Sequence, residues 1–199
     1  ADLVDEFSLD WINRGKDNKQ EIAEKSKAKV VISEPGIEYS RILQDQKKVI
    51  LIVNKPKLAI AKIGNTFFAK KYPNEIHTTA VLDKEAIIGD GVYIGANCTI
   101  GKCKIGDNAV ILSNVSINDR VIIGSNVFIK PGAVLGFGGF GFEKESTGKL
   151  IKFPQVGSLI INNDVEIGSN TNIDCGALSD TVIGEGSKIN SHSHIAHNV

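Results

Sequence analysis

From residue 76 onward, aliphatic side chains return every six residues. Leu82, Ile88, Ile94 and Ile100 open the series, and Ile105, Ile111, Ile117, Ile123, Ile129 and Leu135 continue it. After an interruption it resumes at Ile161, Ile167 and Ile173, takes one step of ten residues, and runs on through Ile183, Ile189 and Ile195. Ala86, Val92, Cys98, Ala109, Val115, Val121, Val127, Ala133 and Val165 stand two places before an aliphatic position, so they too are predicted to point inward. Gly follows the aliphatic at 89, 95, 101, 106, 124, 136, 168 and 184, and Asn follows it at 118 and 162, types that tolerate tight-turn torsions. A period of six fits neither an amphipathic helix nor an alternating hairpin. It predicts a β-helix: short strands separated by turns, coiled so that each residue stacks on its counterpart roughly 4.8 Å away.

One step is short. Ile100 and Ile105, in IGKCKIG, are five residues apart. A deleted residue is expected to turn every later side chain out of register. Either one turn absorbs the deletion or a residue is lost near Lys102 to Lys104, and the absence of methionine from the sequence keeps the second reading open. The interruption 136–158, GFGGFGFEKESTGKLIKFPQVGS, mixes Gly, aromatic and charged residues, so it is predicted to project as a loop able to cover a site.

Residues 1–75 follow another pattern. Segments 29–33 and 48–54 read as buried strands, and 18–28 and 56–72 read as helices. The expected architecture is therefore mainly β, a parallel β-helix over 76–199 preceded by a small α/β domain, with Pro73-Asn74-Glu75 as the hinge.

Composition narrows the function. The 199 residues carry 23 Lys+Arg and 23 Asp+Glu, which leaves no basic excess to attract nucleic acid. The longest aliphatic run, Val49 to Val53, is far short of the roughly 20 residues that cross a bilayer. The start ADLVDEF has no signal-sequence character, so a cytoplasmic protein without a transmembrane segment is expected. Cys98, Cys103 and Cys175 show no CxxC or Cys/His metal spacing and read as buried free thiols. Three of the four histidines, His192, His194 and His197, crowd the last coil. An imidazole there can act as a general base, with His197 the candidate, or simply decorate a solvated face. The HxHxxH spacing matches no standard zinc site, so no metal is expected.

The segments 136–142 (GFGGFGF), 152–157 (KFPQVG), 165–168 (VEIG), 173–184 (IDCGALSDTVIG) and 195–199 (IAHNV) occur in that order, with both interruptions in place. Together they resemble the UDP-3-O-(3-hydroxyacyl)glucosamine N-acyltransferases of lipid A synthesis, over about 120 residues of the coil. The resemblance implies a left-handed β-helix assembled as a homotrimer with sites between subunits. It also implies transfer of a 3-hydroxyacyl group from acyl carrier protein to the amine of a UDP-glucosamine derivative. The thioester donor serves without a further cofactor. The family's base is the His of IAHNV, hence His197; Asp174, Asn190, His194 and Asn198 are carried over as substrate-binding candidates, and Phe140 and Phe142 either line an acyl groove or pin the loop. In the amino-terminal domain Trp11 and Asn13 are the counterparts of uracil-binding residues, although Trp11 reads equally well as a core residue. The chain departs from the family at Gly138, Cys175 and Asn190, where Asp, Arg and Asp are common, and at Lys16, near where a second aromatic is expected. The family continues past IAHNV, so the chain is expected to be part of a longer protein. Two alternatives remain: an acetyl-coenzyme A-dependent acetyltransferase of a nucleotide amino sugar, and a non-catalytic trimeric scaffold.

Overall fold

A strand of two residues pairs few backbone groups by itself, but stacked on like strands above and below it has partners on both sides. That is how the hexapeptides are used. The computed structural model describes residues 4–199 and divides them into two units, one ending at Lys71 and the other comprising Tyr72–Val199. The first three residues of the ADLVDEF start lie outside the described residues.

The second unit is a left-handed parallel β-helix with three faces, two of six strands and one of five. On the first face Ile76, Ile94, Ile111, Ile129, Ile167 and Ile189 stack in register; on the second, Leu82, Ile100, Ile117, Leu135, Ile173 and Ile195; on the third, Ile88, Ile105, Ile123, Ile161 and Ile183. Coil-to-coil hydrogen bonds such as Gly95 N to Ile111 O, Gly101 N to Ile117 O and Gly106 N to Ile123 O, each 2.8 Å, run along the three faces in turn. The aliphatic columns and the smaller residues two places earlier form one continuous core. Each fully buried Ile contributes about 1.5–3 kcal/mol from burial. In the last coils that smaller position becomes Thr171 and Thr181, both buried; the Thr171 hydroxyl donates to Asn190 O at 2.8 Å, and the Thr181 hydroxyl accepts from Asn198 N at 2.9 Å.

One expectation about the turns is corrected. The glycines that follow the aliphatic positions, apart from Gly136, do not lie in the left-handed region. They are required by close approach instead: a Cβ on Gly106 would stand 2.6 Å from the carbonyl carbon of Gly124 in the next coil. In most turns the left-handed residue stands three places before the aliphatic, as at Asn97, Asn108, Asn114, Arg120, Asn126, Asp164, Asn170 and His192. Asn predominates because it tolerates positive φ better than other side chains with a Cβ.

The five-residue step is absorbed in the turn. Ile88 pairs with Ile105 and Ile105 with Ile123, so no later side chain leaves register. The turn 101–103 lacks the left-handed residue that the turns before and after it in the chain carry at Asn97 and Asn108. Inserting Asn between Lys102 and Cys103 should therefore restore a standard turn and leave the melting temperature within about 3 °C of the parent. A large fall on thermal denaturation would show that the short turn is a packing requirement.

The amino-terminal unit has a three-stranded parallel sheet, β1 (Leu9–Trp11), β2 (Val30–Ser33) and β3 (Val49–Ile52), in that order, with helices α1 (Lys19–Lys25), α2 (Arg41–Asp45) and α3 (Pro56–Phe67). Ile12, Ala23, Val31 and Leu43 form its core. The short β1 and α2 carry too little periodicity to be read in advance. α1 stops before the predicted residue 28 because buried Lys48 donates to the carbonyls of Ala23 (2.7 Å), Glu24 (3.2 Å) and Ser26, which close its end. Burial lowers the pKa of this ammonium.

The segment predicted to project as a loop is built on an antiparallel hairpin of Phe142–Lys144 and Leu150–Lys152. Its return is anchored by the Arg120 guanidinium, which donates to the carbonyls of Gln155 and Val156. The three cysteines are free and buried, and burial pushes the Cys103 thiol up to about 11. Among the described residues no helix is long and apolar enough to cross a membrane.

Candidate active site

The second face of the coil gathers most of the candidate side chains. Its strand 134–138 is bulged, so Val134 and Leu135 pair with Asn172 and Ile173, but Phe137 and Gly138 pair with Asp174 and Cys175. The bulge lets the glycine-rich chain leave the coil while remaining against it. Gly139 is buried, and a Cβ there would stand 2.7 Å from Asp174 Oδ2 and 2.8 Å from His197 Cδ2. The absence of a side chain at 139 thus brings backbone, carboxylate and imidazole together.

Asp174 is 5% exposed. Its Oδ1 accepts from Asn172 Nδ2 at 3.2 Å, and its Oδ2 lies 3.6 Å from His194 Nε2. Asn172 Nδ2 also lies 3.1 Å from His194 Nδ1, so Asn172 and Asp174 flank one imidazole. These side chains border a hollow of 340 Å³ closed on its other side by the hairpin residues Phe140, Phe142 and Lys152. Phe140 and Phe142 meet edge to face with centroids 5.0 Å apart. Phe140 remains 88% exposed, which gives the hollow an apolar rim rather than a packed wall.

His197 follows the last strand and is half-buried. Its Nδ1 is buried and has no hydrogen-bond partner in the chain, and the side-chain amide of Gln155, under the same loop, is buried without a partner as well. Buried polar atoms are rarely left unpaired, and sites that receive a ligand are where such atoms are found. The arrangement can orient a polar substrate beside an imidazole able to take a proton.

Of the residues singled out from the sequence, the structure brings Phe140, Phe142, Asp174 and His194 to one hollow and His197 to its edge through Gly139. Asn190 and Asn198 serve the coil. Asn190 Oδ1 accepts from Ser191 N at 2.9 Å, and Asn198 Oδ1 accepts from Ala177 N at 2.9 Å, so that side chain closes the ten-residue interruption. His192 is a turn residue with φ of 58°. In the other unit Trp11 is 41% exposed, which excludes the core reading, and borders a separate hollow of 570 Å³ with Asp10, Asn18 and Ile22; Asn13 is exposed and not part of its wall. Asn172 and Gly139 were not anticipated. Asn172 reaches His194 across 22 residues, a spacing that the ten-residue step hides from a search by sixes.

The bacterial transferase hexapeptide model (six repeats) matches residues 102–136. A UDP-3-O-acylglucosamine N-acyltransferase of Polynucleobacter asymbioticus is 32% identical over 210 residues, covering 91% of this chain and 59% of the relative. One of Pseudomonas putida is 41% identical over 169 residues, covering 75% and 48%. The solved UDP-N-acetylglucosamine O-acyltransferase of Moraxella catarrhalis superposes with a TM-score of 0.54 at 28% identity, over 61% of this chain and 46% of that one. The chain spans about half to three fifths of the length of the curated relatives it matches.

Proposed function

Because the chain belongs to the hexapeptide-repeat acyltransferase family that includes the UDP-3-O-acylglucosamine N-acyltransferases, we propose that it carries out N-acyl transfer in lipid A synthesis. The donor is a 3-hydroxyacyl thioester of acyl carrier protein and the acceptor is the amine of a UDP-glucosamine derivative. The working unit is a homotrimer in the cytoplasm, with Trp11 stacking on the uracil ring. His197 takes a proton from the acceptor nitrogen, the nitrogen attacks the thioester carbonyl, and collapse of the tetrahedral intermediate expels the thiol. Alignment of the two substrates supplies much of the acceleration, and proton removal adds about 10²–10⁴-fold.

The observation that carries this reading is the convergence of Gly139, Asp174 and His197 under an apolar-rimmed hairpin. Its test offers the protein UDP-3-O-acylglucosamine with both 3-hydroxyacyl-carrier protein and acetyl-coenzyme A, and weighs the nucleotide products by mass spectrometry. A hydroxyacyl mass gain is expected. An acetyl gain would reassign the donor to coenzyme A, and no gain with trimers intact would leave a scaffold.

A further inference from the structure

Among the described residues Asp174 is the one acidic side chain that is buried, and its carboxylate is underpaired. An ionised carboxylate offers about four acceptor positions. One is used, by Asn172 Nδ2 at 3.2 Å, while His194 Nε2 at 3.6 Å stands beyond good hydrogen-bond distance. The groups that face it are Asn172 from its own strand, His194 from the adjoining strand, His197 beyond that strand, and Gly139 and Lys152 from the projecting segment. None of the potential cations is seated on it. A buried charge left with one partner is costly unless something that enters the hollow completes its shell.

We propose that Asp174 selects an amine over a hydroxyl or amide acceptor by binding the nitrogen as its ammonium, a step that rests on the function proposed above. The O-acyltransferase and the N-acyltransferases to which this chain is similar are named for different acceptor atoms, and the two nucleophiles differ in charge as well as in element. An amino sugar reaches the site partly as R–NH3+, whereas an alcohol arrives neutral. A carboxylate at the wall of the hollow stabilises the ammonium and orients its N–H bonds. The ammonium then gives one proton to the His197 imidazole and the freed lone pair forms the C–N bond. As the C–S bond breaks, the second nitrogen proton goes to the thiolate. The products are the amide, the free thiol and one proton, which His197 passes to solvent. Asp174 changes neither charge nor bonding in this sequence.

The test reads binding rather than turnover. Calorimetry on the full chain compares UDP-3-O-acylglucosamine with its N-acetyl counterpart, at pH 6.5 and at pH 9, for the wild type and Asp174→Asn. The wild type should prefer the amine at pH 6.5 by about tenfold or more, as charge-assisted pairs warrant, and lose most of that preference at pH 9 as the amine becomes neutral. The variant should show little preference at either pH. Because the N-acetyl ligand meets the same His194, His197 and Lys152 side chains at each pH, the ratio of the two affinities isolates the acceptor nitrogen. A wild-type preference independent of pH, or one that survives Asp174→Asn, overturns the role of Asp174 while leaving the proposed function standing. Failure of the wild type to bind either nucleotide removes the acceptor itself and both proposals with it. The wild-type pH comparison decides the matter even where the variant folds poorly.

Discussion

His197→Ala should lower the rate of amide formation by about 10²–10⁴-fold and leave the melting temperature within about 3 °C of the parent. The separation of the two effects follows from where the side chain stands. His197 lies outside the aliphatic columns, and its Nδ1 makes no hydrogen bond that the fold would lose. Its ring lies beside Gly139, where there is no side chain to lose a packing partner, so truncation to Ala does not open the core. Removing it costs the proton acceptor and little else. Added imidazole should restore part of the lost rate, because the space vacated beside Gly139 has the size of the ring. His192→Asn is the matching control: that residue holds a left-handed turn with φ of 58°, a conformation Asn accepts, and its N–H to Ser169 O bond at 2.9 Å is a backbone one. Unchanged activity is expected there. If His197→Ala kept full acyl transfer, the base would have to be sought elsewhere, and His194 beside Asp174 would be the next imidazole to test.

The coil was legible because its signal is repeated many times over, and Ile at every sixth residue suits neither the helical period nor the two-residue alternation of a hairpin. Its turns were misread for a physical reason. Glycine serves two needs, positive φ and absence of volume, and composition alone does not distinguish them. The asparagines three places before Ile100, Ile111, Ile117, Ile129 and Ile173 carried the torsional signal, while glycines such as Gly106 carried the steric one. The short step at 101–103 shows that register in a coil is set by the stacked columns, so that a turn can lose its left-handed residue without displacing Ile105 from Ile88 and Ile123. The site was partly visible, since Asp174, His194 and His197 stand in recognisable segments. Its assembly was not, because Gly139 and Asn172 matter through contacts one coil away, across interruptions of irregular length. Asn198 illustrates the converse: a polar residue next to a candidate base, whose side-chain carbonyl is committed to the backbone at Ala177.

Gly168→Ala should be severely damaging for so small a change, lowering the melting temperature by about 8 °C or more and acyl transfer with it. Gly168 sits at the corner after Ile167, directly beneath the corner of the coil that carries His194 and His197. A Cβ there would stand 2.2 Å from Ser191 N, 2.3 Å from the Asn190 carbonyl carbon and 2.6 Å from its oxygen. All three are backbone atoms, so no side-chain rotation relieves the clash and the coil above must lift. Lifting strains Ser169 N to Ser191 Oγ (3.1 Å), Thr171 Oγ1 to Asn190 O (2.8 Å), and the backbone bonds from His192 to Ser169 and from Asn172 to Ser193, each 2.9 Å. The same movement draws His194 away from Asn172 and His197 away from Gly139, so stability and activity fall together, unlike the result expected for His197→Ala. The identical substitution at Gly64, inside α3 with nothing within 4 Å of its added Cβ, should stabilise by about 0.5–1 kcal/mol because it removes backbone entropy from the unfolded chain. Thermal melts of the two variants beside the parent settle the point: a Gly168→Ala protein that melts with the parent would mean that the corner is far more compliant than its spacing allows.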